Sequence, residues 1–158
     1  MCDGQSGFNV IYADPAKQYA LSSGFSMVHT GLEVPVGKSD VDVKCTIKQD
    51  FQLWLLFPHM HEWGTRFKAT RTRAGKSDVL FDTDWNEGFI FHPPETYWKL
   101  DDAPFFKKDD EIKFTCSFNN TTGQKMFFGK EMCVLSAQYA DYKKDGNIFC
   151  DNGTYGTF

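Results

Sequence analysis

Hydrophobic and polar positions alternate along much of this chain. In residues 41–47, Val41, Val43, Cys45 and Ile47 interleave with Asp42, Lys44 and Thr46. That period of two sets one face of a strand against a core. Residues 66–73 alternate again, with Phe67 and Ala69 opposed to Lys68 and Thr70. Residues 51–60 read as a buried strand ending near Pro58, and 112–118 and 132–139 complete the series. Turn chemistry falls between these runs: Val36-Gly37-Lys38, Ala74-Gly75-Lys76, Asn119-Asn120-Thr121-Thr122-Gly123 and Lys144-Asp145-Gly146-Asn147. No stretch carries an amphipathic helix of three turns. Short strands with frequent turns predict an all-β chain, an antiparallel jelly-roll-like β-sandwich in a single domain. Residues 1–27 read as an N-terminal extension with the first strand or strands, 28–150 as the sandwich and 151–158 as a C-terminal tail. Residues 1–20 and 151–158, rich in glycine and small polar residues, are expected to be loosely ordered.

The 158 residues suffice for one domain with a real core. Sixteen phenylalanines suit pleated, half-buried surfaces. The net charge of −4, with no basic run, argues against nucleic acid or an anionic membrane as partner. The longest apolar run, 53–57, is far too short to span a bilayer, so no transmembrane segment is expected. Nothing near Met1 resembles a signal peptide.

Five cysteines are present: Cys2, Cys45, Cys116, Cys133 and Cys150. No Cys-x-x-Cys pair exists, which argues against structural zinc. Disulfides account for them better and imply an oxidising, extracytoplasmic compartment, secreted or periplasmic, with any leader removed. Cys116 and Cys133 lie in neighbouring strand-like runs joined by a turn-rich segment, and are paired on that ground. Cys45 and Cys150 follow by exclusion. Cys2 stands apart, and two readings of it remain: the lipid-bearing first residue of a mature bacterial lipoprotein, or a free terminal thiol.

Candidate chemistry centres on His59-Met60-His61. In an extended strand both imidazoles share a face. Met132, in Glu131-Met132-Cys133, offers a thioether from another strand, and the neighbouring Cys133–Cys116 bridge would pin it. Two nitrogens and one sulfur suit copper cycling between Cu(I) and Cu(II), since sulfur favours the reduced ion and imidazole tolerates both. Taken singly, a His-x-His or a methionine is weak; methionine usually fills cores.

Pro58-His59-Met60-His61-Glu62-Trp63-Gly64, Cys116-Ser117-Phe118-Asn119-Asn120-Thr121 and Glu131-Met132-Cys133 together resemble the catalytic C-terminal domain of the copper type II, ascorbate-dependent monooxygenases. That family includes the peptidylglycine α-hydroxylating and dopamine β-monooxygenases and bacterial relatives. The resemblance covers roughly residues 28–150. It implies a jelly-roll sandwich with disulfides Cys45–Cys150 and Cys116–Cys133, and one copper on His59, His61 and Met132. It also implies O2 and a small reductant such as ascorbate as partners in C–H hydroxylation. Three protein ligands leave an open position for O2 or water.

Departures are specific. Family enzymes hold a second copper through three histidines of a preceding domain, whereas this chain has only His29 and His92 to spare, so a partner domain or protein would have to supply it. Phe57 stands where peptide-hydroxylating members place an arginine that grips the substrate carboxylate, and Ser136 where they place a tyrosine. Phe128, Gly129 and Lys130 replace a Thr/Ser and acidic run. Peptidylglycine is therefore not the expected substrate.

Glu62 and Glu131 read either as acceptors for ligand N–H groups or as solvated carboxylates, and His92 as a pocket residue near the metal or a structural histidine. His29 reads as a strand residue with a satisfied ring. Asp78, Asp82 and Asp84 resemble an acidic loop without calcium-loop spacing. Asn119-Asn120-Thr121-Thr122 and Asn152-Gly153-Thr154 contain glycosylation sequons. Three functions compete: an oxygen-activating copper monooxygenase domain, a non-catalytic copper carrier or sensor, and a structural or adhesive sandwich.

Overall fold

The computed structural model describes residues 14, 16, 21–144 and 146–157. Cys2 and Asp145, on which expectations were placed, lie outside the described residues. Thirteen strands follow one another: β1 (Leu21–Val28), β2 (Glu33–Val34), β3 (Gly37–Thr46), β4 (Phe51–His59), β5 (Gly64–Arg73), β6 (Lys76–Asp84), β7 (Thr96–Tyr97), β8 (Phe105–Phe106), β9 (Glu111–Asn120), β10 (Met126–Phe127), β11 (Val134–Asp141), β12 (Ile148–Asp151) and β13 (Thr154–Thr157). Two short 3-10 turns, Glu87–Ile90 and Leu100–Asp102, interrupt them.

The strands form two large sheets and a small antiparallel β10–β2 pair, so the chain is the expected all-β sandwich. One sheet runs β13-β12-β1-β11-β4-β7, with β8 also on β4; the other runs β3-β9-β5-β6. Pairing is antiparallel except between β1 and β12, which run parallel. Alternation does its expected work: Ile112, Phe114, Cys116 and Phe118 of β9 are buried, as are Val43 and Cys45 of β3. Phenylalanines 25, 51, 67, 106, 114 and 118 fill the space between the sheets. Phe67 stacks on Phe114 at 5.2 Å and Phe51 on Phe106 at 5.0 Å.

Both disulfides cross from sheet to sheet. Cys45 of β3 joins Cys150 of β12, and Cys116 of β9 joins Cys133 just ahead of β11. Among the described residues, no helix is long and apolar enough to cross a membrane.

β1 is a first strand of the kind expected before residue 28, and it lies between β11 and β12 with Phe25 and Met27 in the core. Three expectations change. The tail is not loose: Thr154–Thr157 pairs with β12 in a hairpin turning at Asn152 (φ 39°) and Gly153 (φ 102°). Asp78, Asp82 and Asp84 are not a loop but sit on β6, an edge strand whose carboxylates meet Arg71, Arg66 and Lys68 of β5. Such charge also protects an open edge. Asn120 is buried, its amide donating to Val34 and Gln124 carbonyls, so only Asn119 of the overlapping sequons is exposed.

Candidate metal centre

The position of the histidines is decided upstream, in the middle of β4. Phe51 and Leu53 of β4 point into the core, whereas Leu56, Pro58 and Met60 do so further along. The phase changes because Trp54 is an extra residue: Tyr139 of β11 pairs with Leu53, but Gln138 pairs with Leu55. A bulge of this kind re-aims the side chains that follow it. Here it turns Phe57 and His59 to the outer face and buries Met60 completely. The bulged carbonyl is satisfied by the Trp98 amide at 2.9 Å.

His59 and His61 lie together, as strand alternation predicts. Their ring centroids are 5.0 Å apart, edge to face at 83°, and both side chains are half-buried. His59 stands opposite Val134, the first residue of β11. The ladder ends at that pair, and the segments beyond it, His61 and Met132, are joined instead through a side chain. Burial alternates through the segment, with Cys133, Leu135 and Ala137 buried and Met132, Val134 and Ser136 half-buried. Met132 thus falls in the outward phase that His59 also occupies.

Glu131 fastens the two segments. Its side chain has no exposure, and one oxygen accepts the backbone N–H of His61 at 2.6 Å and of Met132 at 2.8 Å. The other oxygen accepts the Trp63 N–H at 3.2 Å. A buried carboxylate needs such partners, because desolvation otherwise costs far more than folding can supply. The sequence expectation for Glu131 was a ring acceptor or a solvated carboxylate; it is instead a backbone clamp. The ring of His61 has a different partner, the Lys130 carbonyl, 3.1 Å from Nδ1. A neutral ring must donate there, which fixes the tautomer and leaves Nε2 as a bare donor atom for a metal.

The turn after His61 is held from the other sheet. Trp85 Nε1 donates to the His61 carbonyl at 3.1 Å, and the Gly64 amide to the same carbonyl at 3.4 Å. Gly64 admits no side chain: a Cβ there would collide with the Met60 methyl and lie 2.8 Å from Trp85 Cδ1.

His59 has its pKa lowered, first by desolvation and then by the neighbouring charge of a protonated His61. Both effects favour the neutral imidazole that a metal requires. Among the described residues, no three His, Cys, Asp or Glu side chains gather into a metal-binding group. Two imidazoles, one with its Nε2 left free by the Lys130 carbonyl, and the thioether of the neighbouring Met132 segment are donor types that copper accepts.

Of the other candidates, Glu62 is exposed directly beside His61, His92 is exposed, and His29 follows β1 in a turn where its carbonyl accepts from Leu32 at 3.1 Å. Phe57 and Ser136 prove to be direct cross-strand partners one row from His59. Sequence reading missed the wall beside His61. His61, Glu62, Trp63, Ile90, Phe91 and Lys130 surround a depression of about 370 Å³, built from loops whose contact no local spacing signals.

No protein-family model matches the chain, and no curated protein does. Among solved structures, a chain from "Structure of infectious bursal disease virus Gx strain" is similar at 13% identity and a TM-score of 0.31, covering 87% of this chain and 38% of that one. The chain thus spans less than half of that neighbour's length.

Proposed function

We propose that this chain is a mononuclear copper protein that binds one ion through His59, His61 and Met132, in an oxygen-activating role like that of the ascorbate-dependent monooxygenases it resembles. The observation that carries the reading is the Glu131 carboxylate, which holds the amides of His61 and Met132 on a single oxygen. That contact sets a His-x-His strand and a methionine segment side by side for no evident need of packing, since Cys133 and Met60 already fill the core. A copper ion bound there would supply one-electron chemistry and an open position for O2. Burial favours the neutral form of His59, the Lys130 carbonyl orients the His61 ring, and both rings are half-buried at the end of β4, which supports this reading.

The disulfides support an extracytoplasmic setting, where thiols oxidise. The test is copper loading followed by oxygen uptake with ascorbate. Stoichiometric copper lost in His59→Ala, with ascorbate-dependent uptake also lost in Met132→Ala, supports the monooxygenase reading. Tight copper without uptake assigns the chain to copper carriage instead. Copper well below one ion per chain overturns both.

A further inference from the structure

The depression beside His61 has two kinds of wall. Trp63, Ile90 and Phe91 are apolar, and Phe91 is 83% exposed, an unusual surface position for a ring that could have packed inward. Lys130 supplies a cation, its ammonium 5.4 Å above the centre of the Trp63 ring. The apolar wall is built rather than draped. Asn86 caps the Glu87–Ile90 turn by accepting from the Gly88 amide at 3.0 Å. Phe89 packs edge-on against Trp85 at 5.5 Å, and Trp85 donates to the His61 carbonyl. The wall and the histidine therefore share one anchor.

We propose that this depression is a binding site for a small aromatic carboxylate, its ring between Trp63 and Phe91 and its anionic end toward Lys130. The site's meaning as a substrate pocket rests on the copper reading above; its existence as a ligand site does not. A volume of about 370 Å³ suits a molecule of one or two rings. Lys130 has no carboxylate partner among the described ion pairs, and its stem already lies along the aromatic wall. Glu62 also borders the depression and is exposed, as Lys130 is, but it is the Lys130 ammonium that stands over the aromatic wall. An acid is therefore favoured over an amine of equal size.

Nuclear magnetic resonance of the metal-free, isotope-labelled full chain, titrated with phenylacetate and separately with phenethylamine, tests this. Phenylacetate is expected to shift the Trp63 indole N–H and the Phe91 amide, binding roughly threefold tighter than phenethylamine, the scale of one exposed charge interaction. Lys130→Gln should erase that preference, and Phe91→Ala should weaken both ligands while leaving the spectrum folded. Shifts confined to other parts of the surface, an amine preference, or an acid preference that survives Lys130→Gln would overturn the proposal. A copper titration of the same wild-type protein separates the two readings. Phenylacetate binding without copper binding keeps the pocket and removes the copper centre; copper binding without phenylacetate does the reverse.

Discussion

Glu131 Oε1 lies 2.6 Å from the amide nitrogen of His61, and the same oxygen takes the amide of Met132. Two proposed ligands from distant parts of the chain therefore hang on one atom. In Glu131→Gln the amide oxygen can keep those two bonds, but the new NH2 faces the Trp63 N–H, donor against donor. Expected are a loss of about 1–3 kcal/mol of stability by urea unfolding and a roughly 10–100-fold loss of copper affinity. A changed electron paramagnetic spectrum in the remaining bound copper would separate misplacement from simple unfolding.

Met132→Ala and His59→Ala should differ in which oxidation state they lose. Removing the thioether is expected to weaken Cu(I) binding by about tenfold or more while sparing much of the Cu(II) affinity. Removing an imidazole weakens both. Competition with a Cu(I)-specific chelator reads the difference, and equal losses of the two states in Met132→Ala would take sulfur out of the site.

Gly64→Ala places a methyl against Met60 and Trp85, both buried. Overpacking of this kind costs about 1–3 kcal/mol. Because Trp85 carries the His61 carbonyl, the variant should also disturb copper binding, whereas Gly75→Ala should cost stability through its positive φ (76°) without touching copper. Thermal unfolding and copper titration of the two variants make the comparison.

Part of the acid sensitivity should come from one buried pair. Asp110 is 2% exposed and accepts from Arg73 at 2.8 and 2.6 Å and from the Lys107 amide at 2.9 Å. Burial raises its pKa, but the Arg73 and Lys107 hydrogen bonds and the Arg73 and Arg71 charges outweigh that and leave it below the usual value. A folded pKa below the unfolded one contributes stability that is full above about pH 4 and lost as pH falls through the folded value. Asp110→Asn should flatten that acid limb in urea unfolding between neutral and acid pH.

The two disulfides should be unequal. Cys45–Cys150 spans 105 residues and Cys116–Cys133 spans 17. Loop-entropy scaling gives about 4.7 and about 3 kcal/mol respectively for their removal by paired Cys→Ser changes. Only loss of the shorter bridge should alter copper affinity, since it adjoins Met132.

Much of this architecture was legible in the chain. Alternation located β3, β5, β9 and β11, and turn residues located the turn at Ala74 and Gly75 that ends β5. Periodicity reports a face, however, and cannot register where the face changes: nothing in the run around Trp54 marks the bulge that reverses β4. β6 hid because its carboxylates read as a loop until arginines on β5 are placed across from them. The pairing of the histidines followed from spacing alone. The clamp by Glu131 did not, because a side chain bonded to backbone amides leaves no pattern of residue types.

Trp54 carries a consequence for how such a surface could arise. Because Trp54 is the surplus residue, its deletion would give β4 an unbroken ladder, with Leu53 and Leu55 on neighbouring rows and Phe57 and His59 still facing water. Drawing Trp54 into the pairing would instead turn both inward, so the outer face depends on that residue staying out of the ladder.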